Sequence, residues 1–366
     1  MLTTGDTDRW RAALPIDDCV MGSLEYCRIL ERQCGYPARL FVVESDGVRI
    51  AYPFLLRPIQ NLPFAARMAS GRFDTITPEY TGPLRFGSSP SDDAERIRFA
   101  ELFAAHCQAQ GVVAEFAHLS PWSPDSGLLD PGCVHLDREL VYVDLTWGEE
   151  QIWQRSFSSD TRRMTRQAQK AEVRVRRATS PDDVLAFHRL YTSTMDRRGA
   201  LDRYYFPVEY FLAFFETMAD NAFFLLADCG ERAVAGGLYL HDRTDVYWHL
   251  SAVDMEWARV RPVNAYHHGA IRWGVREGKK RMLCGGGYEP GDGVFRFKAG
   301  FSPLRVPFRV YKRIHDRDLY QALLAAWSSH HVGRHPSARF FPAYRSDGGS
   351  TAVEPASAEA AANPGA

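Results

Sequence analysis

The fold is decided by residues 222–287, AFFLLADCGERAVAGGLYLHDRTDVYWHLSAVDMEWARVRPVNAYHHGAIRWGVREGKKRMLCGGG. Apolar, β-branched and aromatic runs on either side of Cys229-Gly230-Glu231 predict two strands joined by a tight turn. Further along, helical spacing ends at Gly278, a residue type typical of helix ends. The elements are predicted to be strands over 222–228, 233–241 and 245–252, a helix over 263–277, and a strand over 281–284. This order around a mixed sheet is typical of an α+β fold.

The regions before this stretch continue the same alternation of elements. Ser45-Asp46-Gly47 separates two apolar, β-branched runs, which predicts a β-hairpin. Ser23 precedes a helical pattern and is its expected N-cap. The predicted helices cover residues 22–35, 92–111, 149–171, 181–198 and 207–220. The predicted strands cover residues 39–44, 48–56 and 112–119, and residues 71–90 are expected to form a loop.

These patterns divide the chain into two similar halves and a tail. We expect a first domain over residues 1–145 and a second over 146–345, each a mixed β-sheet flanked by helices. From 346 to 366 the sequence is rich in Gly, Ser, Ala, Pro and Glu, a composition typical of disorder.

The composition is that of an ordinary globular protein and excludes collagen-like, coiled-coil and wholly disordered classes. The chain has 366 residues, of which 45% are hydrophobic and 24% charged. No apolar run reaches the length of a membrane span, and the first ten residues do not resemble a signal peptide, so a cytoplasmic location is expected. Seven cysteines without a Cys-x-x-Cys pair predict reduced thiols and no metal site.

The charge is unevenly distributed along the chain. Residues 1–145 carry a net charge of −7 and residues 146–345 carry +9, although the whole chain carries only −1. A positive second half favours binding of a polyanion, because a positive surface raises the rate at which anions are captured. Attraction between two oppositely charged halves is an alternative interpretation.

Several short motifs in a fixed order resemble the Fem family of aminoacyl-tRNA-dependent peptidyltransferases. The resemblance covers about residues 20–315, and its most specific element is the Phe-Lys-x-Gly-Phe segment. The motifs are Val48–Arg57, Phe73–Leu84, Ser159–Lys170, Phe187–Gly199, Tyr247–Ser251, Gly285-Gly286-Gly287 and Phe295–Phe301. The family implies two tandem acyltransferase domains of the GNAT fold.

The resemblance implies an enzyme that transfers an amino acid from a charged tRNA to an amine and so forms an amide bond. It implies aminoacyl-tRNA as co-substrate and no bound cofactor. The family motif Tyr-Gly-Tyr-Gly-Gly-Pro appears here as Pro78–Pro83, Pro-Glu-Tyr-Thr-Gly-Pro, and the second half lacks a long charged helical hairpin. The acceptor therefore stays open among a cell-wall precursor, a peptide and an amine-bearing natural product.

Lys298 is the expected catalytic cation, with Phe297 beside it in the same motif. The attack of an amine on an ester passes through an oxyanion, which a fixed cation can stabilise. The chain has five lysines against 39 arginines, so a lysine at this position is an unusual choice. The alternative is a surface lysine on a β-strand whose neighbours Phe297 and Phe301 lie in the core.

Other site residues are expected from strand alternation and motif position. Tyr247 and His249 should share one face of their strand, where His249 could orient the amine or relay its proton. A core histidine with a satisfied hydrogen bond is an equal alternative for His249. By motif position, the expected substrate-binding residues are Arg57, Asp74, Tyr80 and Arg296. Arg57 could equally be a solvated residue at a strand end.

Residues 155–177 carry eight basic and two acidic side chains. At helical spacing, some of them could form a stripe that contacts tRNA phosphates. The expected tRNA-binding residues are Arg162, Arg163, Arg166 and Lys170. A solvated helix face is the alternative.

Two other functions compete with tRNA-dependent transfer. One is N-acyl transfer from acetyl-CoA, another acyl-CoA or an acyl carrier, which in this fold normally requires an Arg/Gln-x-x-Gly-x-Gly/Ala loop at a helix N-terminus. That motif is absent from the sequence. The other is a catalytically silent module that binds peptide or RNA.

Overall fold

A computed structural model describes residues 1–88, 93–122, 127–289, 291–337 and 340–346. Contacts divide the described residues into two compact units, one formed by residues 1–137 with 307–346 and the other by residues 138–306. The segment after Pro307 therefore groups with the N-terminal residues, whereas the sequence division at residue 145 assigned it to the second domain. Of the predicted tail, residues 347–366 lie outside the described residues.

The elements are numbered in chain order. The strands are β1 (Leu2–Thr3), β2 (Ala38–Ser45), β3 (Val48–Pro58), β4 (Phe73–Ile76), β5 (Leu84–Phe86), β6 (Val112–His118), β7 (Val134–Asp144), β8 (Arg174–Arg177), β9 (Ala222–Cys229), β10 (Arg232–His241), β11 (Asp245–Val253), β12 (Arg281–Gly285) and β13 (Arg305–Ile314). The α-helices are α1 (Thr7–Ala13), α2 (Leu24–Cys34), α3 (Asp93–Ala109), α4 (Gly148–Gln151), α5 (Ser159–Lys170), α6 (Pro181–Arg198), α7 (Val208–Thr217), α8 (Pro262–Arg276), α9 (Gly293–Ala299) and α10 (Arg317–His330).

The first unit contains a mixed sheet in the order β1-β2-β3-β4-β6-β13, with β5 paired to β3. β4 runs parallel to β6, and the other pairs in this unit are antiparallel. The predicted hairpin is confirmed, since β2 and β3 pair around Asp46 and Gly47, which both have positive φ angles. Ser23 caps α2 as expected by accepting a hydrogen bond from the Tyr26 amide. The predicted loop over 71–90 is partly wrong, because its short apolar runs pair as β4 and β5.

The second unit contains the mixed sheet β7-β12-β11-β10-β9-β8, in which β11 and β12 run parallel. Helices cover both faces of this sheet. A side chain at Gly236 would contact Phe187 of α6, whereas one at the adjacent Gly237 would contact Tyr266 of α8. Because neighbouring strand residues point to opposite faces, α6 and α8 lie on opposite sides. The mixed strand order and flanking helices of each unit confirm the predicted α+β class.

The long helix predicted over 149–171 is interrupted. α4 runs into a π-helix over Ile152–Ser156, after which Phe157 is extended. Ser158 then begins α5, because its hydroxyl accepts a hydrogen bond from the Thr161 amide, 3.1 Å. The sequence pattern did not reveal this break, since apolar spacing continues through it.

None of the helices among the described residues has the length and apolarity needed to cross a membrane.

Candidate active site

The parallel strands β11 and β12 separate at their carboxyl ends. Their ladder joins residues 245–247 to residues 281–283, after which β11 continues to Val253 and β12 ends at Gly285. The part of β11 that begins at Trp248 is therefore not paired with β12. Ligands of open sheets with parallel strands commonly bind where carboxyl ends of strands separate.

A β-bulge in β11 sets which side chains face this opening. Leu238 pairs with Leu250 and Tyr239 with Trp248, so His249 is an extra residue in β11. Trp248 stacks on His267 of α8 with a centroid distance of 4.0 Å, whereas His249 packs against α7.

Tyr247 and His249 both lie on the face of β11 opposite Trp248, as predicted. The Tyr247 hydroxyl donates to the Asp242 carboxylate at 3.2 Å, and Nε2 of His249 lies 3.1 Å from the Tyr210 hydroxyl. Burial lowers the pKa of His249 to about 3, so the ring is neutral at pH 7 and is a weak base. The hydrogen-bonded core histidine described as the alternative matches this environment.

Lys298 lies on the other face of the sheet. Its ammonium is 5.9 Å from the centroid of the Trp248 ring, and the residue is 1% exposed. The alternative of a surface lysine on a strand is therefore wrong. The segment is helical because Asp292 caps α9 by accepting a hydrogen bond from the Phe295 amide, 2.7 Å. Lys298 sits in the last turn of α9, where a cation is stabilised by the helix dipole.

Phe297 and Arg296 flank Lys298 on α9 and are less buried. Phe297 is half-buried and lies 6.3 Å from the Trp248 ring, centroid to centroid. Arg296 is exposed, and its guanidinium donates to the Gly291 carbonyl at 2.9 Å. Of the four predicted catalytic residues, the structure therefore brings Lys298 and Phe297 together around Trp248 and leaves Tyr247 and His249 on the opposite face.

Trp248 presents a hydrogen-bond donor with no partner at this position. Its indole nitrogen Nε1 is buried and makes no hydrogen bond among the described residues, although the residue is 6% exposed. Buried polar groups in native proteins are nearly always paired, so an orphan donor needs an explanation. The Lys298 ammonium and the orphan Trp248 N–H are both of the donor types that bind an oxygen atom carrying negative charge.

His267 completes the group around Trp248. Its Nδ1 lies 3.2 Å from the Tyr239 hydroxyl and its Nε2 lies 3.6 Å from the Cys284 thiol. Burial and then the nearby charge of Lys298 hold the pKa of His267 well below its usual value. The imidazole is therefore neutral, and it does not add a second positive charge beside the ammonium.

The Phe-Lys-x-Gly-Phe segment has a packing role as well. Phe301 contacts His267 edge-on with centroids 4.3 Å apart. A Cβ atom at Gly300 would overlap the Thr161 hydroxyl at the start of α5. Glycine at this position therefore lets α5 approach the end of α9, and the Ser158 amide donates to the Gly300 carbonyl at 2.8 Å.

The basic residues of α5 have two different environments. Arg163, Arg166 and Lys170 are exposed, and we call these three the α5 basic face. Arg163 pairs with Asp160 at 3.1 Å. The Arg162 side chain instead points toward the preceding π-helix, where its guanidinium donates to the backbone carbonyl oxygens of Trp153, Gln154 and Phe157. It therefore closes the end of the π-helix and does not belong to the exposed stripe that the spacing predicted.

Three of the four expected substrate-binding residues lie in the first unit: Arg57, Asp74 and Tyr80. Arg57 and Asp74 form a buried ion pair, 2.5 Å, and are 3% and 0% exposed. The second oxygen of Asp74 accepts hydrogen bonds from Tyr344 and Arg345. Arg57 is therefore not a solvated strand end, and the carboxylate is held by groups of the chain itself. Tyr80 is buried beside Phe308, with centroids 5.4 Å apart.

The sequence reasoning did not identify Trp248, His267 or Cys284 as site residues. In the sequence analysis Trp248 occurs only within the motif Tyr247–Ser251, and His267 only within the predicted helix over 263–277. A usable signal was present, because period-two alternation places Trp248 on the face opposite Tyr247 and His249.

The connection from β11 to α8 is relevant to phosphate binding. Residues 254–268 contain no glycine. Asp254 accepts a hydrogen bond from the Glu256 amide, 3.1 Å, and residues Met255–Val260 form a 3₁₀ helix. This connection differs from the glycine loop expected of acyl-CoA enzymes.

Part of the chain is similar in sequence to a known domain family, and the whole chain is similar in fold to solved structures. Residues 155–299 match a family model described as the acetyltransferase (GNAT) domain. Among solved structures, the chain is similar to FemX, with 13% identity, a TM-score of 0.65, and coverage of 88% of this chain and 98% of that one.

Two further structures show the same likeness over most of their length. One is a conserved protein of unknown function from Bacteroides thetaiotaomicron, with 11% identity, a TM-score of 0.58, and coverage of 86% and 98%. The other is described as "C-terminal Domain of Putative Lysylphosphatidylglycerol Synthetase" from Agrobacterium fabrum, with 12% identity, a TM-score of 0.55, and coverage of 87% and 96%. No curated protein matches the chain significantly.

The structural matches confirm the predicted GNAT fold. The match of residues 155–299 to an acetyltransferase domain model confirms the predicted enzyme class, an acyltransferase. At 13% identity or less, the structural likeness to FemX is a likeness of fold.

Proposed function

We propose that this GNAT-fold acyltransferase transfers an aminoacyl group from a charged tRNA to the amine of a peptide, a cell-wall precursor or a small natural product. In this reaction the amine nitrogen forms a bond to the ester carbonyl carbon. The bond to the 3′ oxygen of the tRNA then breaks, and that oxygen leaves with a proton.

The observation that carries the proposal is the pairing of Lys298 with Trp248. Attack on the ester creates a negatively charged oxygen. The site offers a buried ammonium over the face of the Trp248 ring and an orphan indole N–H at the edge of the same ring. Donors fixed in a buried site act more strongly than the same donors in water, because they need not reorganise during the reaction. An aminoacyl ester is already activated, so positioning and charge stabilisation can supply much of the rate.

Two features favour tRNA over coenzyme A as the carrier. The connection from β11 to α8 has no glycine, so it does not form the usual cradle for a pyrophosphate. The α5 basic face exposes three cations on one helix of the same unit, a pattern suited to a phosphate backbone.

Transfer from acyl-CoA is the second candidate, and one observation favours it. The family model matched by residues 155–299 is that of an acetyltransferase domain. If this candidate holds, Lys298 and Trp248 would meet the oxyanion of a thioester, so the two candidates share a site and differ in the donor.

Incubation of the protein with a mixture of charged tRNAs and candidate amines, read by mass spectrometry, tests the proposal. We expect an aminoacylated amine that disappears when the tRNAs are treated with ribonuclease beforehand. Uncharged tRNA plus free amino acids is the matched control, because it lacks the activated ester. Product formed equally well after ribonuclease treatment would overturn the proposal.

A further inference from the structure

Three side chains of the types that ligate transition metals converge in the first unit. They come from separate elements: Cys107 from α3, Glu115 from β6, and His315 directly after β13. One ligand atom of each lies within 4.8 Å of the other two. We propose that Cys107, Glu115 and His315 bind a divalent zinc-type ion.

The spacing is close to that of a metal site. In a tetrahedral zinc site with bonds of about 2.0–2.3 Å, neighbouring ligand atoms lie about 3.3–3.8 Å apart. Nε2 of His315 is 2.9 Å from Oε2 of Glu115. Because the three ligand atoms lie within 4.8 Å of one another, shifts of about 1 Å or less in these side chains would bring all three to ligand spacing. Thiolate, imidazole and carboxylate are the ligand types that zinc prefers in proteins.

The surroundings orient these ligands. The Tyr52 hydroxyl donates to Oε1 of Glu115 at 2.8 Å, which leaves Oε2 toward His315. The backbone amide of His315 donates to the Val113 carbonyl at 2.8 Å and so fixes the residue against β6. Hydrogen bonds of this kind are typical of the outer shell of metal sites, where they set ligand orientation.

The burial of the cluster also suits a metal. Cys107 and Glu115 are 0% and 1% exposed. A divalent ion bound here would be shielded from water, and its charge would be balanced by the Cys107 thiolate and the Glu115 carboxylate.

A closed polar network is the competing explanation. In that case His315, Glu115 and Tyr52 satisfy one another, and Cys107 is an ordinary core residue. Arg313 adds positive charge nearby, where it donates to the Tyr311 hydroxyl at 3.4 Å. The two explanations differ in whether the Cys107 sulfur contacts an ion.

Cobalt binding to the full chain distinguishes them. After treatment with a chelator, the protein is titrated with Co²⁺ and followed by absorption spectroscopy, in which a bound thiolate gives a sulfur-to-metal charge-transfer band. We expect about one Co²⁺ per chain with this band, and displacement of the cobalt by Zn²⁺. Cys107→Ala should lose the band, and His315→Gln should lose stoichiometric binding. Tyr52→Phe should keep the band with roughly 10- to 100-fold weaker binding.

Cys27→Ala is the matched control, because Cys27 is a fully buried cysteine of the same unit outside the cluster. It should bind Co²⁺ like the parent. The absence of a charge-transfer band in the parent, or its persistence in Cys107→Ala, would overturn the proposal. If Cys107→Ala does not fold, His315→Gln and Tyr52→Phe decide the matter, and unchanged affinity in both would refute the site.

Discussion

Replacing Lys298 by methionine removes the buried ammonium and keeps an unbranched side chain. If the ammonium stabilises the oxyanion, turnover should fall by about 10²- to 10³-fold, which corresponds to roughly 2.7–4 kcal/mol. Substrate binding should change little, because the charge that Lys298 meets develops only in the transition state.

Several interactions of the Lys298 ammonium bear on how Lys298→Met changes the stability of the folded protein. Lys298 gains about 2 kcal/mol from a desolvated cation–π contact and about 0.3–1 kcal/mol from the dipole of α9. Burying its charge costs several kcal/mol, which offsets such gains. Urea unfolding of Lys298→Met therefore serves to show that any loss of turnover occurs in a folded protein.

The assay combines turnover with charged tRNA, urea unfolding, and titration of His267 by NMR. Because the Lys298 charge lowers the pKa of His267, that pKa should rise in Lys298→Met. Lys298→Arg should rescue turnover poorly, since a planar guanidinium does not replace a compact ammonium. Trp248→Phe keeps an aromatic ring at this position and removes the orphan indole N–H, so it should also lower turnover.

Lys312→Met is the matched control, because Lys312 is a half-buried lysine on β13 in the first unit. It should keep the turnover of the parent. Turnover of Lys298→Met within about threefold of the parent, in a folded protein, would remove Lys298 from the mechanism.

Three further predictions concern binding, pH and packing. Replacing all three residues of the α5 basic face by alanine should weaken tRNA binding and reduce the slope of log affinity against log salt concentration by about two to three. Arg162→Ala should instead lower the free energy of unfolding by about 1.5–3 kcal/mol and leave that slope unchanged. Gel-shift titrations over a salt series and urea unfolding measure the two effects, and equal slopes in the parent and the triple variant would contradict the tRNA role. Burial and then the charge of Asp245 raise the pKa of Asp242 from 3.8 to about 6, so the folded state holds this proton more tightly than the unfolded state and loses stability as pH rises from about 4 to above 6. Relative to the parent, Asp242→Asn should therefore gain about 2 kcal/mol between pH 4.5 and 7 in urea unfolding, and a difference independent of pH would refute this. Gly300→Ala should lower the free energy of unfolding by about 1–3 kcal/mol, measured by thermal unfolding, because the new Cβ overlaps the Thr161 hydroxyl. Adding Thr161→Ala should restore part of this stability, and a double variant no more stable than Gly300→Ala would show that the overlap is not the cause.

Much of the fold could be predicted from local patterns. Helix α6 has the predicted bounds, 181–198, and the structure shows a serine N-cap at Ser180 and a left-handed glycine at Gly199 marking its ends. The break before α5 could not be predicted in this way, since it depends on Arg162 reaching back to carbonyl groups that a pattern does not show. The pairing of β13 with β6 joins residues almost 200 positions apart, and local spacing carries no information about it.

The candidate site was only partly predictable for a similar reason. The motif identified Lys298, but its burial depends on α9 packing against Trp248, a contact between residues 50 positions apart. The β-bulge at His249 is set by pairing with β10, which the sequence does not reveal. The cluster of Cys107, Glu115 and His315 lay outside every spacing rule, because its members are brought together only by the sheet of the first unit.

A competition between donors tests the central claim most directly. The protein is given one amine acceptor together with equal concentrations of a charged tRNA and acetyl-CoA, and the product is weighed by mass spectrometry. Aminoacyl transfer from tRNA predicts an acceptor that gains the mass of an amino-acid residue, and Lys298→Met should form it far more slowly. An acetylated acceptor as the main product would contradict the account and identify coenzyme A as the carrier.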